Sequence, residues 1–246
     1  ELESYLEFLR DLCMKLLTFG NEDKICAGLL FFTELIRICP DYFIKDFNSI
    51  SELIQQSISV ADNHENVQMV AFLCAVSLAK ADPKQFCDVF KFTILNRAQL
   101  IILKDPVGTA SGLCSLCHSV PSLMESQLPK IISISRTLIR IKSYDALFRI
   151  FETFLYTFPD KLNNFYHEQF DFLLSAPISE AFKSFFVKIA TLPKTFNEQN
   201  KIKLTKLLEA KLNENTLIVI SLIAELPPSI FVEPQTLFQL VTKQTN

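Results

Sequence analysis

Six prolines divide this chain at a near-regular interval, and each follows a stretch rich in apolar residues. Pro40, Pro83, Pro121, Pro159, Pro193 and Pro227 lie 43, 38, 38, 34 and 34 residues apart. Proline has no amide hydrogen to give a helix, and its ring disfavours helix at the preceding residue. The recurrence therefore predicts helices that stop at the same point of a repeated unit. The third residue after the proline is often aromatic, as in Pro40/Phe43, Pro83/Phe86, Pro193/Phe196 and Pro228/Phe231. Pro121 and Pro159 have Met124 and Leu162 there instead.

Between the prolines the apolar spacing is helical. Leu2, Tyr5, Leu6, Leu9, Leu12, Cys13, Leu16 and Leu17 recur at three- and four-residue steps and form one expected buried face. Gly20 is expected to stop that helix and Asn21 to cap the next. The run to Cys39 is apolar almost all round, its polar residues narrowed to Lys24, Glu34 and Arg37, so a helix sandwiched between neighbours is expected. Further starts are read at Asp62 with Glu65 as a capping box, at Asp105-Pro106, at Ser143 before a helix from Tyr144 to Phe158, at Asn197, and at Asn213 or Asn215. Composition agrees. Only 4 glycines occur in 246 residues and no Asn-Gly or Asp-Gly pair, which disfavours sheets joined by tight hairpins.

The unit is thus helix, turn, helix, proline, repeated along one domain. Its expected boundaries are 1–40, 41–83, 84–121, 122–159, 160–193 and 194–227, with a half-repeat at 228–246. A period in this range marks helical repeat proteins. The segment from Asp23 through Leu29, Phe32, Leu35 and Ile36 to Pro40 resembles a second helix of the HEAT/armadillo class of α-helical repeats. The resemblance implies an all-α fold, a right-handed α-solenoid of about six antiparallel helix pairs. It also implies an interaction scaffold rather than an enzyme.

Chemistry-bearing motifs are few. Cys114-Ser115-Leu116-Cys117-His118 spells the covalent haem attachment motif. That chemistry needs export to an oxidising compartment, whereas seven cysteines, an odd number, and no Asn-x-Ser/Thr acceptor point to a reducing one. Cys13, Cys26, Cys39 and Cys74 fall on apolar stripes, where a free thiol behaves as a small hydrophobe. A structural zinc site would need four ligands, and no second pair stands near Cys114 and Cys117. Gly108-Thr109-Ala110-Ser111-Gly112 lacks the Lys-Ser/Thr ending of a phosphate loop and reads as a face of small residues that admits a close neighbour. His64 and His167 stand alone in sequence. No catalytic residue, cofactor or metal is expected.

Charge is the informative signal. Residues 1–66 hold 12 acids and 5 bases, a net of −7, while residues 67–246 hold 15 acids and 19 bases, a net of +4. Arg136, Arg140, Lys142 and Arg149 form one basic cluster, with Arg136 and Arg140 one turn apart opposite a buried stripe of Ile131, Ile134, Leu138 and Ile141. Lys203 and Lys206 belong to a second cluster with Lys201 and Lys211, moderated by Glu209. The expectation is a non-catalytic scaffold for an acidic peptide, a helix or a folded partner, with Arg136, Arg140, Lys142, Arg149, Lys203 and Lys206 as partner-binding residues. Alternatives are nucleic-acid binding through the same bases, or part of a karyopherin-type transport receptor. The longest apolar runs fall short of a membrane span of about 20 residues, so no membrane partner is expected, and the cysteine usage leads to an expected place inside the cell, in nucleus or cytoplasm. The start at Glu1 and the polar end at Lys243–Asn246 suggest a piece of a longer protein.

Overall fold

Every regular element among the described residues is helical. The computed structural model describes residues 2–59, 65–161, 163–191, 197–212, 216–231, 235 and 242. They fall into two compact units, Glu1–Ile141 and Lys142–Asn246.

The first unit contains α1 (Leu2–Phe19), α2 (Glu22–Ile38), α3 (Pro40–Ile44), α4 (Phe47–Ser59), α5 (Glu65–Ala81), α6 (Pro83–Phe90), α7 (Ile94–Ile101), α8 (Pro106–Ser119), α9 (Pro121–Ser126) and α10 (Leu128–Arg140). Pro40, Pro83 and Pro121 follow the ends of α2, α5 and α8, as the sequence predicts, and each also occupies the first position of the next helix. A proline there forfeits no hydrogen bond, because that amide has no intrahelical acceptor. The helix expected after each proline is in fact two short pieces. Lys45 and Asp46 separate α3 from α4, Lys91 to Thr93 separate α6 from α7, and Gln127 separates α9 from α10. At the last break Pro129, at the start of α10, removes the amide that would have carried α9 onward.

In this unit α2 packs on α5 and α5 on α8, while α4 and α7 lean on α5, and α7 meets α8 and α10. Contact on several sides explains why α5 buries residues around most of its circumference, including Val67, Val70, Phe72, Cys74, Val76 and Leu78. The expected sandwich is present for α2, which packs against both α1 and α5, but its enclosure is only partial. α2 buries Leu29, Phe32, Leu35 and Ile36 but leaves Leu30, Phe31 and Ile38 exposed, because nothing among the described residues covers that side.

The small-residue face of α8 does let a neighbour close in. A Cβ on Gly112 would lie 2.5 Å from the Phe72 ring of α5. Capping follows the sequence at Asn21, whose side chain accepts from the Lys24 amide at 3.2 Å, and at Asp105, which accepts from the Gly108 amide at 2.9 Å. Gly20 does not take the left-handed conformation of a typical helix stop. Its need is steric, since a Cβ would sit 2.2 Å from the Leu16 carbonyl oxygen. The Asp62 capping box, Pro193 and the Asn213 or Asn215 start lie outside the described residues.

The second unit contains α11 (Tyr144–Thr157), α12 (Asn163–Glu168), α13 (Phe170–Leu174), α14 (Glu180–Ala190), α15 (Glu198–Lys211) and α16 (Thr216–Glu225), then a 3-10 turn at Pro228–Ile230. α14 packs between α11 and α16, and α15 between α13 and α16. The core is aromatic. Phe148 lies 5.7, 5.2 and 6.4 Å, ring to ring, from Phe182, Phe185 and Phe186. Phe151 meets Phe165 and Tyr166 edge-on. The fully buried Tyr166 donates its hydroxyl hydrogen to the Phe151 carbonyl at 3.2 Å, which satisfies its polar end inside an apolar cluster. Asn197 caps α15 by accepting from the Asn200 amide at 2.8 Å.

Candidate partner-binding surface

The basic residues divide between the units. Arg136 and Arg140 stand on α10 of the first unit, and both are exposed. The stripe behind them is buried at Ile131, Ile134 and Leu138, but Ile141 is 37% exposed. The helix ends at Arg140, and the following turn carries Lys142 at φ 58°, the one positive φ among the described residues other than glycine. Ile141 is the C-cap, one residue past the last helical position, and the left-handed Lys142 ends the helix directly after it. Ser133, three residues before Arg136, is half-buried and accepts from the Gln99 side chain of α7 at 3.0 Å. The open face of α10 is therefore narrower than its spacing suggests.

Lys142, Arg149, Lys203 and Lys206 belong to the second unit and are exposed. Lys203 of α15 donates to Asp171 of α13 at 2.5 Å, and Lys201 donates to Glu198 at 2.8 Å. These pairs lower the free positive charge of the second cluster and serve as links within the unit. Exposed pairs of this kind add little stability.

Cys114, Cys117 and His118 do not converge. Cys117 is fully buried and Cys114 half-buried on α8, while His118 is exposed. No group of three or more His, Cys, Asp or Glu able to hold a metal occurs among the described residues. All seven cysteines are free thiols. Burial pushes the Cys13 thiol up to about 11 and the Cys74 thiol up to about 12, so both are held as neutral hydrophobes. His167 is not isolated in space, since the buried Asn200 directs its side-chain amide to His167 Nδ1 at 3.2 Å, tying α12 to α15. His64 lies outside the described residues.

The least expected surface is on α1. Of the face predicted to be buried, Cys13 and Leu17 are enclosed and Leu6, Leu9 and Leu16 are half-buried, but Tyr5 is 59% and Leu12 40% exposed. Phe8 and Phe19 are also open, at 62% and 84%. At about 100° per residue these four side chains share one side of the helix. Glu3, Glu7 and Asp11, spaced four apart and all exposed, lie about 90–170° around the helix from the centre of that side, while the exposed Lys15 adjoins Phe8. Arg10 gathers three nearby carboxylates, with Asp11 at 2.9 Å, Asp46 at 2.8 Å and Glu7 at 3.7 Å. The hydrogen bond to Asp11 is the largest influence raising its pKa, and burial opposes it. The signal for this surface was the width of the apolar arc. Counting Phe8 and Phe19, it covers about half the circumference, more than one packed neighbour hides.

No helix among the described residues is long and apolar enough to cross a membrane. No family model, curated protein or solved structure matches this chain.

Proposed function

We propose that this chain is a non-catalytic scaffold that holds a protein partner on preformed helical surfaces, in an α-solenoid of HEAT/armadillo type. The observation that carries the reading is the exposure of large apolar side chains, Tyr5, Phe8, Leu12, Leu30 and Phe31, on helices whose other sides are firmly packed. Apolar side chains clustered on a fixed helix mark an interaction surface. Because packing orders them beforehand, association has less conformational entropy to overcome. The proline-led short helix, second helix and long third helix of the first unit also suit the three-helix form of such repeats. Free thiols throughout suit a reducing compartment inside the cell.

The test is cross-linking mass spectrometry of the full-length protein in cells, followed by affinity measurements with the partner found. Reversing Arg136 and Arg140 to Glu then asks whether α10 is part of the interface. An acidic partner segment seated there should lose more than about 2 kcal/mol of binding while the helical signal stays intact. Affinity that does not change places the interface elsewhere, and an absence of specific partners sinks the scaffold reading. The exposed pair Arg136 and Arg140 also supports a second reading, binding to a phosphate backbone. In that case the double reversal should also flatten the salt dependence, because fewer counterions are released.

A further inference from the structure

We draw no further inference here: the strongest candidate, the cavity of about 750 Å³ between the start of α5 and the turn from α7 to α8, selects no ligand by charge, because Glu65 is paired with Lys104 and Asp105 caps α8, and nothing in the structure shows what covers its apolar wall of Met69, Leu100 and Leu103.

Discussion

At the scale of single residues, two neighbours on α8 show opposite kinds of misfit. Thr109 is 1% exposed, and its hydroxyl oxygen has no hydrogen-bond partner among the described residues. A buried hydroxyl without a partner forfeits its hydration and gains nothing in exchange. Thr109→Val keeps the branched shape and removes the orphaned group, and should raise stability by about 1 kcal/mol in urea unfolding. Unchanged or lower stability would mean the hydroxyl is satisfied after all. Gly112 is the reverse case, a residue that looks costly in a helix and is required there. Gly112→Ala gains about 1 kcal/mol of helix propensity but drives a methyl into the Phe72 ring, and overpacking of that kind costs about 1–3 kcal/mol. A net loss of about 1 kcal/mol is expected, and a gain would show that α5 and α8 can part at little cost.

At the scale of elements, packing sets the chemistry of the thiols. Cys13 on α1 and Cys74 on α5 are fully buried, and Cys117 on α8 is buried with them. A thiol reagent at pH 8 should count seven thiols in denaturant but react with these three in the folded chain only as slowly as it opens. Rapid reaction of Cys74 in the folded chain would contradict its burial. The pH dependence has a definite sign. Unfolded thiols release their protons near the ordinary value of 9.0, whereas folded Cys13 and Cys74 hold theirs to about 11 and about 12. Stability from this source is full below pH 9 and falls as pH rises through that window. In the second unit the equivalent anchor is Phe148 on α11, which touches three rings of α14. Phe148→Ala should cost about 3–5 kcal/mol in thermal or urea unfolding. A loss under 1 kcal/mol would show that the aromatic cluster closes around the gap.

At the scale of the whole molecule, the helical class and the proline punctuation were legible because both are local. Hydrophobic spacing at 3.6 residues and a missing amide act within one turn, and no distant residue can cancel them. Asn21, Asp105 and Asn197 cap where the sequence places them for the same reason. The candidate surface was legible only in part. Arg136 and Arg140 are exposed on one helix as their spacing implies, but the partners of Lys203 and Ser133 lie 32 and 34 residues away. No reading of adjacent residues could have found them.

What the sequence determined by itself is that the chain is helical, where the proline-marked helices stop, and which residues are apolar enough to be buried. What only the tertiary structure decided is which apolar faces find a neighbour. α1, α2 and α5 all carry broad apolar arcs, yet α5 is enclosed while α1 and α2 keep Phe8, Phe19, Leu30 and Phe31 in the open. Periodicity records a residue's preference for burial, and that preference is met only where another helix supplies the covering surface. The number of covering neighbours is a property of the packing arrangement, fixed by contacts between residues far apart in the chain.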